Sequence, residues 1–116
     1  MFSVNFFRED DGTKPVGQFI RTLEAKLKAQ VVSDLNRLQM IGKDAREPLS
    51  KHLEDGIFEC RTKLGTSVVR TLYFFDNDMI IIVTNSFFKK QQKTPKDESA
   101  LAKKRRKVYF DRKNGY

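Results

Sequence analysis

Arg61 and Arg70 are the residues of this chain whose type and spacing most invite chemistry. They stand on either side of the turn Lys63-Leu64-Gly65-Thr66-Ser67, and a tight hairpin there would set their side chains opposite each other on one face. Two guanidiniums a few ångströms apart repel unless an anion joins them. A phosphate suits the role, because each guanidinium is a planar fork of donors that stays charged at any physiological pH. Glu59 or Glu54 could instead neutralise the pair as an ordinary ion-pair lattice, and a one-residue slip would change which residues meet. Lys89, Lys90 and Lys93 follow the apolar run 79–84 and could embrace a phosphate at the end of a strand or simply be a solvated loop. Phe87 and Phe88 must point to opposite faces if that strand persists, one into the core and the other free to offer a platform to a base.

The charge distribution supports a polyanionic partner. Residues 1–88 carry 12 Lys and Arg against 12 Asp and Glu, whereas residues 89–116 carry 11 against 3, so the whole net charge of +8 sits on the last quarter. A nucleic-acid backbone is the commonest partner for such a segment. The run Lys103-Lys104-Arg105-Arg106-Lys107 would wrap most of a helix, with some cations extending the field and others only solvating it. Cys60 is the only cysteine and His52 the only histidine, which excludes an internal disulfide and an ordinary Cys/His zinc site. Cys60 reads as a small buried hydrophobe and His52 as a structural or surface residue. Asp10, Asp11, Asp76 and Asp78 sit in turns, where local hydrogen bonding explains them better than paired-carboxylate catalysis. No metal or cofactor is expected.

The elements that must position these residues follow from periodicity. Residues 3–7 read as a strand ended by Arg8-Glu9-Asp10-Asp11-Gly12. Thr13 can cap a helix and Pro15 suits its first turn, and the apolar residues from Val16 to Ile41 recur at three- and four-residue steps up to Gly42. That length predicts two helices with a break within 25–30. Residues 42–55 read as a connection. A meander follows, with strands over 57–62, 68–75 and 79–87; Ile80-Ile81-Ile82-Val83 suits a central strand covered on both faces. Thr94 as cap, Pro95 at the first position and Asp97 predict a last helix over 95–112. The result is a single α+β domain over 1–116. It has a small antiparallel sheet, made of the N-terminal strand and the three-stranded meander, with two N-terminal helices and a C-terminal basic helix on one face. No run reaches the roughly 18 apolar residues of a membrane span, and no signal peptide is recognisable, so a soluble, cytoplasmic protein is expected.

Three segments, Gly56-Ile57-Phe58-Glu59-Cys60-Arg61, then Val69-Arg70-Thr71-Leu72-Tyr73-Phe74-Phe75, then Phe87-Phe88-Lys89-Lys90-Gln91-Gln92-Lys93-Thr94-Pro95, resemble the RelE and HigB type II toxin family in its phage-derived branch. The resemblance implies a RelE-like fold and a metal-independent mRNA endoribonuclease acting with the ribosome. A cognate antitoxin, of helix-turn-helix type, would hold it in a hetero-oligomer. Carried over by position, Arg61 and Arg70 would hold or polarise the scissile phosphate, Lys89 and Lys90 would add charge, and Tyr73 would lie near the cleft. RNA contacts are expected from Lys63, Phe87, Lys93, Lys103, Lys104 and Arg105. Many relatives carry a histidine where this chain has Asn85, which cannot act as a base near neutral pH. Two other functions fit the same residues: a ParE-like inhibitor of DNA gyrase, and a noncatalytic basic adaptor for RNA or protein.

Overall fold

The computed structural model describes residues 2–77 and 79–115, so the Asp78 turn position lies outside the described residues. The elements run β1 (Ser3–Phe6), α1 (Pro15–Arg21), α2 (Ala25–Ile41), a short 3-10 turn (Gly42–Asp44), β2 (Ser50–Glu54), β3 (Ile57–Leu64), β4 (Ser67–Asp76), β5 (Ile80–Phe88) and α3 (Lys96–Lys113). They form an α+β domain around one five-stranded sheet of order β1-β5-β4-β3-β2.

The meander is as expected, but the sheet is mixed and larger than the antiparallel one predicted. β1 runs parallel to β5, pairing Ser3 with Ile80 through Phe6 with Val83. The stretch read as a connection contains β2, which pairs antiparallel with β3. Asp55 and Gly56, at φ 48° and 77°, close that hairpin in the left-handed conformation that an Asp-Gly turn supplies. Before β2, chain continuity at the end of α2 depends on Gly42, at φ 64°, because a Cβ there would lie 1.8 Å from the ring of Phe2.

Helices cover both faces of the sheet rather than one. Val16 and Ile20 of α1 and Leu27, Val31, Leu35 and Leu38 of α2 pack with Cys60, Val69, Tyr73, Ile81 and Val83. On the other face Ala102, Val108, Tyr109 and Phe110 of α3 pack with Phe7, Ile57, Leu72, Phe74 and Ile82. The consecutive run Ile80–Val83 thus serves two cores, as expected of a central strand. α1 and α2 are broken at 22–24, just before the predicted interval, where the N–H groups of Thr22 and Leu23 return to Phe19 and Ile20. Neither predicted threonine cap forms: the N-cap positions are Lys14 and Pro95, without side-chain caps.

One irregularity matters for function. Leu72 pairs with Asn85 but Tyr73 with Val83, so Thr84 is an extra residue, a β-bulge in β5. It reverses the in-out alternation, turning Asn85 and Phe87 to the α3 face, whereas Val83 faces α2.

Candidate nucleic-acid site at the strand ends

Arg61 and Arg70 are direct cross-strand partners, in a register that runs unbroken from Phe58–Tyr73 to Leu64–Ser67. They share the α3 face, and what joins them is Glu59. Arg61 Nε donates to Glu59 Oε2 at 2.9 Å, and Arg70 Nε lies 3.3 Å from Oε1 without the alignment of a hydrogen bond. The ion-pair alternative for Glu59 therefore holds, while Glu54 pairs elsewhere.

The two arginines differ sharply in access. Arg70 is 2 % exposed and Glu59 0 %, so both are sealed in the wall. Arg70 Nη2 donates to the carbonyl of Gln92 at 2.7 Å and Nη1 reaches Thr94 Oγ1 at 3.5 Å, and Thr94 in turn donates to Glu59 Oε1 at 2.8 Å. The hydroxyl read as a helix cap is spent here, tying the segment after β5 to the arginine pair. Arg61, with 29 % of its side chain exposed, faces the solvent side of this network, and its Nη1 reaches the exposed Glu47 carboxylate at 3.4 Å.

Two cavities meet at this wall. One, about 430 Å³, is lined by Gln30, Asp34, Arg37, Pro48, Leu49, Arg61, Lys63, Val68, Arg70 and Lys89. The other, about 600 Å³, includes Glu47, Lys51, His52, Glu59, Gln92, Lys93 and Thr94 as well as Arg61, Arg70 and Lys89. Together their walls hold seven Lys and Arg against four Asp and Glu, an excess of three positive charges. Lys89 is fixed at its backbone by a hydrogen bond from its N–H to the Val68 carbonyl at 2.8 Å. Arg61, Arg70, Lys63, Lys89 and Lys93 are thus brought to one hollow.

Other nominated residues lie apart from it. Lys90 is exposed but lines neither cavity. Tyr73 belongs to the core on the opposite face of the sheet; its hydroxyl bonds Ser50 Oγ, and burial pushes the phenol up to about 12. This corrects its placement near the cleft. Phe87 packs in the core beneath α3, and Phe88 is the exposed ring, tilted against Phe19 at 5.4 Å. Lys103 is paired with Glu54 and Asp55 at 2.7 and 3.0 Å. Arg105 is held by Glu9 at 3.1 Å and the Thr84 carbonyl at 2.9 Å, so both tail cations are structural clamps. Lys104 is exposed and outside both linings. His52 borders the larger cavity, with its ring edge-on to Phe58 and Nε2 accepting the Gly56 N–H. Asn85 is buried, donating to the Glu98 carbonyl and carboxylate at 3.2 and 2.9 Å, so it fastens β5 to α3. Cys60 is a core thiol, pushed up to about 12 by burial.

Residues 18–107 match the family model described as phage derived protein Gp49-like (DUF891). The chain belongs to the Gp49-like family. No curated protein matches it. The Gp49-like family is phage-derived and toxin-like, related to type II toxins, and such a family suggests an antitoxin partner. The Gp49-like match spans every residue of both cavity walls, from Gln30 to Ser99. No helix among the described residues is long and apolar enough to cross a membrane. Sequence reasoning missed Lys51, Gln30, Asp34 and Arg37 as parts of the walls of this Gp49-like domain. The Asp55-Gly56 dipeptide signalled the hairpin that brings Lys51 in; the α2 residues carried no local signal, because only the tertiary packing of α2 beside β3 places them there.

Proposed function

We propose that this chain is the toxin of a type II toxin–antitoxin pair, RelE/HigB-like in mechanism, which cleaves mRNA on the ribosome. The observation that supports the reading is the meeting of two cavities at Arg61 and Lys89, one guanidinium from β3 and one ammonium just past the end of β5, at a common wall. A phosphodiester bound there has a cation on either side. The 2′-hydroxyl of the preceding ribose attacks the phosphorus, the bond to the 5′-oxygen breaks, and a 2′,3′-cyclic phosphate and a 5′-hydroxyl result. Glu47 is the exposed carboxylate beside Arg61 and takes the 2′-hydroxyl proton; Lys89 supplies one to the leaving 5′-oxygen. Arg61 meets the charge that gathers on the equatorial oxygens, stabilising the transition state more than the ground state. Arg70, sealed behind it, is a positioning residue that fixes Glu59 and the Gln92 carbonyl. Lys63 and Lys93 hold flanking phosphates, and a helix-turn-helix antitoxin neutralises the protein.

The test is primer extension on translated mRNA after expression of the chain. Cleavage inside codons is expected, and Arg61→Ala with Lys89→Ala should lower it about a hundredfold or more. Intact mRNA with unimpaired growth refutes the reading. A second reading, a noncatalytic basic adaptor, draws on the hold of Glu59 on both arginines. It expects salt-sensitive RNA binding that follows total charge, with no special dependence on Arg61.

A further inference from the structure

α2 carries two apolar stripes. Leu27, Val31, Leu35 and Leu38 face the sheet and are buried. On the outward side Ala25, Ala29, Val32 and Met40 line an open groove of about 680 Å³. Val32 and Met40 are 44 % and 66 % exposed, so this second stripe is left to solvent. A lone exposed apolar side chain needs no explanation. These share one groove, and four turns of helix from Ala25 to Met40 make it about 22 Å long.

The exposed charges along this face are of one sign. Lys26, Lys28 and Arg37 are the cations of α2, and its single acid, Asp34, is buried and already accepts from Arg37 at 3.3 Å. Lys28 lines the groove toward one end without an ion pair among the described residues. Arg37, with 59 % of its side chain exposed, lines it toward the other. Apolar lining and one-signed charge together select the occupant. A second copy docking by two-fold symmetry would set this face against itself, cations on cations, with no exposed acid on α2 to offset them. A nucleic acid would satisfy the cations but lay phosphates along Val32 and Met40. A helix with an apolar stripe flanked by Asp or Glu meets both demands.

We propose that the outward face of α2 is the docking surface for an acidic amphipathic helix of a partner protein. The partner's apolar stripe lies along Ala29, Val32 and Met40, and its carboxylates meet Lys28 and Arg37. Arg37 also belongs to the wall of the smaller cavity, so the bound helix abuts the hollow, while neither Arg61 nor Lys89 lines the groove. The inference does not rest on the RNA-cleaving reading, because the groove shares only Arg37 with the walls of the two cavities.

The test uses a fluorescein-labelled helical peptide of about 18 residues, long enough for the groove. Its leucine and alanine stripe is flanked by glutamates, and it is titrated into the full chain and followed by fluorescence anisotropy. One control peptide has the same composition in scrambled order, and another has lysine in place of every glutamate. The acidic amphipathic peptide is expected to bind at least about tenfold tighter than either. Val32→Ser with Met40→Gln removes apolar contact without changing charge and should lower that affinity about tenfold. Lys28→Glu should weaken the glutamate peptide several-fold and strengthen the lysine peptide, a gain that unfolding could not produce. Equal binding of the scrambled peptide, or an affinity that survives Val32→Ser with Met40→Gln, overturns the proposal. So does a dimer of the free chain that the same double variant dissociates in sedimentation, which would make a second copy the occupant. A single-stranded oligonucleotide whose affinity falls as much as the peptide's in that variant would assign the groove to RNA and overturn it as well. mRNA cleavage without peptide binding would remove this inference and keep the proposed function; peptide binding without cleavage would do the reverse.

Discussion

Two groups of cations in this chain meet opposite fates. On α3, Lys103 is matched by Glu54 and Asp55, Arg105 by Glu9, Arg112 by Asp10 and Lys113 by Asp76, while Arg106 donates to the Asp55 carbonyl. At the strand ends, Arg61, Lys63, Lys89 and Lys93 line a hollow with a positive excess. The basic tail is therefore a clamp, and the acids that it engages come from the part of the chain that is neutral as a sequence. Because those acids are spent on α3, the surplus charge of the molecule is felt at the hollow, away from the residues that create it by count. Local charge density in a sequence marks where cations are, and folding decides which of them remain to meet a ligand.

The wall at the strand ends depends most on Glu59. Glu59→Gln leaves the sealed Arg70 guanidinium without its counter-charge, and removing one partner of a buried pair typically costs about 3–5 kcal/mol. Urea unfolding should show that loss, and Arg70→Met in the same chain should recover part of it. Lys103→Ala, which removes a solvent-screened pair on α3, should cost far less. Equal losses from the two variants would mean that the wall and the clamp are the same kind of structure.

RNA binding should separate the two groups of cations as well. Lys89→Ala should lessen the slope of log affinity against log salt by about one, the value of one phosphate contact, whereas Lys103→Ala should leave the slope alone. A slope that falls equally for both would return the tail to the binding surface.

Much of this was legible before the fold. The hairpin turn at 63–67 offered the Arg61–Arg70 pairing as one register among neighbours, and the strands adopt it; the four-residue apolar run marked a strand covered on both faces. The bulge at Thr84 was not legible, because nothing in Val83-Thr84-Asn85 distinguishes a bulged strand from a regular one, and it alone decides which face Asn85 and Phe87 take. The helix side was misjudged for a related reason. α3 has few apolar residues, so its place opposite α1 and α2 rests on Ala102, Tyr109 and ion pairs whose acids lie some 100 positions earlier in sequence, a separation that periodicity cannot sense. Tyr73 lost its expected role through strand alternation, since it sits an odd number of residues from Arg70. Tyr73→Phe should cost about 1 kcal/mol through the lost Ser50 bond and leave RNA cleavage unchanged.

The smallest effect tests the far end of the clamp. Burial alone would raise the Asp76 carboxyl, but hydrogen bonds from Lys113 at 2.8 and 2.9 Å and from the Tyr109 hydroxyl at 2.6 Å outweigh it and hold the group below its usual value. A carboxylate whose folded pKa is depressed binds fewer protons folded than unfolded, so its contribution is complete above the unfolded value near 4 and fades as pH falls through the lower folded one. Asp76→Asn should therefore destabilise the domain by roughly 1 kcal/mol at neutral pH, and the gap between variant and parent should close under more acid conditions. Thermal melts across pH 7 to 3 measure it. A gap that stays constant with pH would mean that Lys113 contributes to α3 through packing of its stem rather than through its charge, and the tail would then be less of an electrostatic clamp than its ion pairs indicate.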